Sequence, residues 1–317
     1  MRFFVTGGAG FLGSNLVYTL LARDMGTVTV FDNFSTGKLI HFDPIKDDKR
    51  LSVVEGDASD LDALCAALKG HDTIFHLASN SDIARAASEP LIDFDDGIRL
   101  TQMVLEAARL TGVKRILFTS GSGVYGDIPP EPIPEAYPYT VPISTYGAQK
   151  LASEAFISAY CHMFDMVGTV FRFANIVGPN MTHGVSHDFV RRLSANPHKL
   201  KILGDGNQSK PYVHSDDIIN AILMMHEKQT DSFDCVNVAG LDSLLVNEIA
   251  DIIIEEMCLQ NVEYEYTGGA RGWRADVPVY RLDSSRIRSY GWDTERNSKE
   301  AVTAAVRSVI AEIAAGR

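Results

Sequence analysis

The chain has 317 residues, 45% of them hydrophobic, with a formal net charge of −12. That is enough apolar material for one large α/β core plus a second lobe, and the acidity excludes nucleic acid and anionic membranes as principal partners, since both are bound through basic patches. Cys65, Cys161, Cys235 and Cys258 lie far apart without a Cys-x-x-Cys pair, no signal peptide precedes the first strand, and no apolar run approaches the roughly 18 residues of a membrane span, so a cytoplasmic protein with reduced thiols is expected.

Arg2-Phe3-Phe4-Val5 reads as a buried strand, and Phe11, Leu12, Leu16, Val17, Leu20 and Leu21 recur at helical spacing. Between them stand Gly7, Gly10 and Gly13. In a strand–turn–helix context the first glycine permits the tight turn, the second lets backbone approach a pyrophosphate, and the third lets helix pack on strand, while free amides at the helix start attract the anion. The next strand, Val28-Thr29-Val30-Phe31, ends in Asp32, placed to take both ribose hydroxyls and to repel a 2′-phosphate. NAD rather than NADP is the expected cofactor.

Further strands are predicted near 51–54, 73–77, 114–119 and 166–172, separated by helices near 60–68, 90–111 and 145–164. This alternation predicts an α/β fold, a doubly wound parallel sheet of Rossmann type, with ligand beyond the carboxyl ends of the strands. After about 175 the texture changes to loops rich in Gly, Pro, Asn and His, with helices near 246–258 and 298–314. The expected organisation is a cofactor-binding domain over 1–174 with a return segment near 211–238, and a smaller α/β substrate-binding lobe from 175–210 and 239–317.

Tyr146 and Lys150 are four apart in Ser-Thr-Tyr-Gly-Ala-Gln-Lys and therefore share one helix face. A phenol with an ordinary pKa of about 10 acts as a base near neutrality only if positive charge favours the phenolate. Lys150 is expected to supply that charge and also to hold the nicotinamide ribose.

With these pieces the chain resembles the extended short-chain dehydrogenase/reductases, in the nucleotide-sugar epimerase and dehydratase branch. The matching residues are Gly-Gly-Ala-Gly-Phe-Leu-Gly, Asp32-Asn33, Gly56-Asp57, His76-Leu77-Ala78, Val124-Tyr125-Gly126, Tyr146-x-x-x-Lys150, Arg172-Phe173-Ala174-Asn175 and Gly178-Pro179. The resemblance implies that Phe11, Leu12, Asn33 and Ala58 join the cofactor site, that Asp57 binds the adenine amino group, that Leu77 and Ala78 line the cofactor channel, and that Asn175 contacts the nucleotide-sugar. It also implies pyrophosphate-binding roles for Lys210 and for Arg271 in Arg-Gly-Trp-Arg-Ala-Asp276. Related 4,6-dehydratases carry an Asp-Glu pair before Val-Tyr-Gly; Ser122 and Gly123 stand there instead, which points toward a 4-epimerase. Tyr280 aligns with a position where a large residue disfavours N-acetyl sugars. The implied activity is NAD-dependent 4-epimerisation of UDP-glucose and UDP-galactose through a transient 4-keto sugar. Alternatives are epimerisation of UDP-glucuronate, another conversion such as decarboxylation, dehydration or ketoreduction, or an NAD-binding sensor without turnover.

Two positions depart from the resemblance: Gly121 replaces the usual Ser or Thr, and Gly97 a common Asn. Ser122 or Ser120 is expected to substitute as donor. His183 and His187 suggest no metal site, because Gly184 between them disfavours a shared helix face. His76 is expected to be a packed, hydrogen-bonded residue, and Asp93-Phe94-Asp95-Asp96 an exposed part of a long helix. The family's homodimer implies an apolar face from Met103, Val104, Ala107 and Ala108 with Ala155, Phe156 and Ala159.

Overall fold

The computed structural model describes every residue except 81, 82, 84, 274 and 317. Strand β1 (Arg2–Thr6) runs into helix α1 (Phe11–Ala22), followed by β2 (Thr27–Asp32), β3 (Leu51–Glu55), α2 (Leu61–Leu68) and β4 (Thr73–His76). A π-helical turn (Phe94–Arg99) continues into α3 (Leu100–Thr111); then come β5 (Arg115–Gly121), a 3-10 turn (Ser122–Val124), α4 (Thr145–Phe164) and β6 (Val167–Phe173). The rest comprises β7 (Asn175–Val177), α5 (Val185–Ala195), β8 (Lys199–Ile202), β9 (Ser209–Lys210), β10 (Tyr212–His214), α6 (Ser215–Lys228) and β11 (Phe233–Val238). It ends with β12 (Leu244–Leu245), α7 (Val246–Glu256), β13 (Glu263–Tyr266), α8 (Ser285–Ser289) and α9 (Ser298–Ala314).

Seven strands form one sheet in the order β11-β6-β5-β4-β1-β2-β3. The pairings of β1 with β2 and β4, of β2 with β3 and of β4 with β5 are parallel. Strand order reverses at β1, the switch point beyond whose carboxyl end ligands bind in such sheets. Phe3, Phe4, Val5, Ile74, Phe75 and Ile116 are fully buried, the near-continuous apolar texture of strands covered on both faces. β3, at the sheet edge, leaves most of its residues in solvent contact.

Leu64 and Leu68 of α2, Val104, Leu105, Ala107 and Ala108 of α3, and Ile157 of α4 pack with Phe4, Ile74, Ile116 and Phe118 in one core cluster. Each large side chain so buried contributes about 1.5–3 kcal/mol. Val104, Ala107 and Ala108 are therefore core rather than the expected association face. On α4, by contrast, Ala155, Phe156 and Ala159 are exposed.

The long helix expected over 90–111 is also revised. Its 94–99 segment is a π turn, and Gly97 within it lies so close to α4 that a Cβ would run into the Gln149 side-chain amide. Asp95 and Asp96 are exposed as expected, but Asp93 is only 2% exposed. The tight packing of the π turn on α4 turns this first carboxylate inward.

The chain divides into two compact units: Met1–Tyr125, Thr140–Arg172 and Ile222–Val236 in the first, Gly126–Tyr139, Phe173–Ala221 and Asn237–Arg317 in the second. Gly126–Tyr139, read from the sequence as part of the first domain, groups with the second because Ile133 bridges Leu282 and its carbonyl accepts from Asn237 Nδ2. Among the described residues no helix is long and apolar enough to cross a membrane.

Candidate active site

At the glycine turn, backbone does the positioning. Gly7 has φ +68°, and a Cβ there would stand 2.6 Å from the Ala78 nitrogen; a Cβ on Gly13 would strike the Gly7 carbonyl oxygen. At Gly10 a Cβ would meet only the Gly7 oxygen, at 3.3 Å, so its missing side chain leaves space beside the start of α1. No side chain caps α1 and its first turn holds no acid, which leaves the amides of Phe11, Leu12 and Gly13 available to an anion. Asp32, at the end of β2, accepts from Ala9 N at 2.9 Å and from Phe34 N at 2.8 Å, and each oxygen retains a lone pair for a hydroxyl. Asn33 Nδ2 donates to Asp57 at 3.2 Å, and the amide and hydroxyl of Ser59, then the Asn33 amide, hold the Asp57 carboxyl below its usual range despite burial. Ala58 is buried beside it, and Leu77 N donates to Thr6 O at 3.1 Å. An uncapped helix start, a turn only glycine can make and a carboxylate at the second strand's end fit a dinucleotide.

Tyr146 and Lys150 lie in the first turns of α4, whose N-cap Ser144 accepts from Gly147 N at 3.0 Å. Lys150 Nζ is 5.6 Å from the Tyr146 ring centroid and 4.9 Å from that of Phe118, and it donates to Thr119 O at 2.9 Å. Helical spacing thus delivers the expected pair. Their electrostatics differ from expectation. Burial, reinforced by Asp93, pushes the phenol up to about 12, while burial pulls the lysine down to about 7 against the opposing pull of Glu154 and Asp93. Burial thus works against the charged form of each group.

The 3-10 turn after β5 rests on this pair. A Cβ on Gly123 would stand 3.8 Å from Tyr146 Cδ1, and one on Gly147 would strike the Gly123 carbonyl. Ser122, which precedes Gly123 in this turn, is half-buried. Ser120 is not a free donor: its hydroxyl donates to Glu154 at 2.5 Å. Glu154 also pairs with Arg172 at 2.7 Å, whose other nitrogen donates to Tyr125 OH at 3.0 Å. Sequence reasoning missed this buried tie between β5, α4 and β6. Its signal was there, since Glu154 follows Lys150 by one helical turn. His76 is enclosed as expected, bonded to Thr6 at 2.7 Å and Thr101 at 3.1 Å, and burial lowers it to about 3.

In the second unit, Tyr280 is buried and its hydroxyl donates to Asn175 Oδ1 at 3.2 Å. Tyr212, buried beside them, also bonds Asn175 and is pushed upward by burial and then by Tyr280. Two predicted substrate residues, 105 positions apart, are thus neighbours. Lys210 and Arg271 also converge. Lys210 Nζ meets Asp276 Oδ1 at 2.5 Å, and Arg271 donates to the Asp276 carbonyl at 2.5 Å and to Asp127 at 3.1 and 2.8 Å. Residue 274 of that motif lies outside the described residues. The carboxylate partners Asp276 and Asp127 had no signal in spacing. His183 precedes α5, for which Gly184 is the N-cap, so the two histidines share no helix; among the described residues no group of three His, Cys, Asp or Glu side chains converges as a metal site.

The NAD dependent epimerase/dehydratase family matches residues 3–239. The chain belongs to that family. Among curated members, the UDP-glucose 4-epimerase of Mycolicibacterium smegmatis is 35% identical over 230 residues, 70% of this chain and 72% of that one. A crystal structure of a UDP-galactose 4-epimerase superposes with a TM-score of 0.87 at 34% identity, covering 99% and 100% of the two chains. The family is broader than epimerases: the dTDP-glucose 4,6-dehydratase DesIV of Streptomyces venezuelae, solved with NAD, gives a TM-score of 0.91 at 27% identity over 99% and 98%. NAD is the family's cofactor.

Proposed function

We propose that this protein interconverts the C4 epimers of a UDP-hexose, UDP-glucose and UDP-galactose, using NAD. The observation that carries the reading is the 3-10 turn against Tyr146, where Ser122 and Gly123 offer no carboxylate to eliminate water or to promote decarboxylation. Bound NAD supplies the hydride acceptor and donor. The amides of α1 and Asp32 hold its pyrophosphate and ribose, Asp57 its adenine end. Lys150 would hold the second ribose, beside Tyr146, where positive charge would favour the phenolate. Tyr146 takes the C4 hydroxyl proton and returns it after the 4-keto sugar has presented its other face, so no outside acid or base is consumed. Ser122 donates to the C4 oxygen in place of the residue missing at Gly121. Asn175 and Tyr280 bound the sugar, while Lys210 and Arg271 exchange Asp276 and Asp127 for the pyrophosphate.

Exposed Ala155, Phe156 and Ala159 on α4 support a homodimer, testable by light scattering before and after Phe156→Glu, and four free thiols suit a reducing cytoplasm. The functional test is proton NMR of UDP-galactose, UDP-glucuronate and their N-acetyl counterparts after incubation without added NAD. Equilibration of UDP-galactose with UDP-glucose is expected. Loss of water or carbon dioxide, or inertness toward every sugar, overturns the reading.

A further inference from the structure

Three residues bonded to one another have no part in the chemistry above: Tyr125, just after the 3-10 turn, Glu154 on α4 and Arg172 on β6. All three are buried and lie within the first unit. Arg172 Nε donates to the two Glu154 oxygens at 3.1 and 3.2 Å, and its Nη2 to Glu154 Oε2 at 2.7 Å. Nη1 donates to Tyr125 OH at 3.0 Å, and the guanidinium carbon lies 4.9 Å from the Tyr125 ring centroid. One planar group therefore grips a helix with one edge and the end of a turn with another. Glu154 Oε1 also accepts from the Ser120 hydroxyl, and one helical turn earlier Lys150 Nζ donates to Thr119 O. Successive residues of β5 are thus bonded to successive turns of α4, which fixes the helix along the strand.

A buried ion pair adds little stability that well-packed apolar side chains of similar volume could not supply. What apolar packing lacks is direction, which the guanidinium fork imposes on carboxylate and phenol together. Direction matters at this turn. Its backbone rests on the backbone of α4 with no side chain between: a Cβ on Gly147 would strike the Gly123 carbonyl, and one on Gly123 would stand 3.4 Å from Gly147 Cα. The turn closes through Tyr125 N donating to Ser122 O at 3.1 Å, so a shift at Tyr125 passes directly to Ser122. We propose that Arg172 and Glu154 are positioning residues: as a bracket they grip Tyr125 and so fix the Ser122–Val124 turn against the Tyr146–Lys150 end of α4. The bracket acts on turnover through Ser122, and that part rests on the epimerase reading.

The hold on the turn is read without any sugar. Tyr125→Phe removes the hydroxyl that Arg172 reaches and leaves the Glu154–Arg172 pair in place. In amide hydrogen exchange followed by NMR, the amide of residue 125 should speed up about tenfold more than the amides of β1 in the same sample. Arg172→Lys should do the same, because one ammonium cannot span both partners. In steady-state kinetics Tyr125→Phe should lower kcat about tenfold and change the UDP-sugar KM by less than about twofold, as expected for a misplaced donor at the reacting carbon. Adding Tyr125→Phe to Ser122→Ala should cost little further, since both remove the same contact. A merely structural bracket would speed exchange equally in β1 and at residue 125, and its loss would multiply with that of Ser122→Ala. Exchange at residue 125 that keeps pace with β1 overturns the proposal, as do multiplying losses in kcat. Should Arg172→Lys not fold, Tyr125→Phe, which removes one oxygen atom, decides by the same criterion. Failure of the native protein to convert any sugar overturns the functional reading alone, because the exchange at residue 125 is still read.

Discussion

In the first unit the groups offered to an anion are main-chain amides at the start of α1, fixed by glycines at positions where a Cβ would overlap the chain. In the second unit the groups that the proposed function assigns to an anion are the side chains of Lys210 and Arg271, already held by Asp276 and Asp127. The first arrangement needs no reorganisation when a ligand arrives and tolerates no added atom. The second must trade one anionic partner for another, so its affinity is a difference between two sets of charge-assisted bonds. On the proposed function, the first unit's donors are set by folding and the second unit's by exchange.

The sharpest way to break this contrast is at the chemistry that the proposed function assigns to Tyr146 and Lys150 of the first unit. Tyr146→Phe is expected to lower kcat about 100- to 10,000-fold with little change in UDP-sugar binding, read by steady-state kinetics and calorimetry. Next comes the turn itself: Gly7→Ala, which adds a Cβ at positive φ against Ala78, should cost about 2–4 kcal/mol in urea unfolding and strip NAD from the purified protein.

Acid should also strain the first unit, where His226 is lowered to about 4 by burial and then by Arg115. Its folded pKa lies below the unfolded value near 6.5, so the stability it confers is complete above that pH. That stability falls as the unfolded chain takes up the proton first, by about 2 kcal/mol at pH 5. His226→Asn should flatten the dependence of urea stability on pH between about 6.5 and 5.

Ser120→Ala removes a donor from the Glu154–Arg172 tie and should cost about 1.5 kcal/mol of stability, whereas Ser122→Ala should slow turnover with an unchanged melting temperature. A reversed outcome for the two serines would reverse their assignment. Last, Arg271→Met at a half-exposed pair should raise the UDP-sugar KM about tenfold and leave the melting temperature nearly unchanged. A stability loss as large as that of Gly7→Ala would show that the second unit's cations are structural and end the contrast.

Much of the first unit was legible because its signals are local. Gly7, Gly10 and Gly13 are read from a turn, Asp32 from the end of the adjoining strand, and Tyr146 with Lys150 from one helical turn, so each follows from backbone geometry over a few residues. Choosing between Ser120 and Ser122 required more. Two residues apart on β5 and its continuation, they differ only in what packs against them, and Glu154, 34 residues on, claims the first. Val104, Ala107 and Ala108 show the same limit, because an apolar helix stripe is identical in sequence whether a sheet or a second chain covers it.

The sequence by itself determined the alternating fold, the dinucleotide turn and the spacing of the phenol and the ammonium, since hydrophobic period, glycine conformation and helical pitch are properties of short segments. Only the tertiary structure decided which charges are buried and what they face. It drew Asp93 inward, paired Lys210 with Asp276 across 66 residues, and let burial work against the charged forms of both Tyr146 and Lys150. Desolvation and ion pairing depend on the groups brought within a few ångströms in space, and distance along the chain does not encode them.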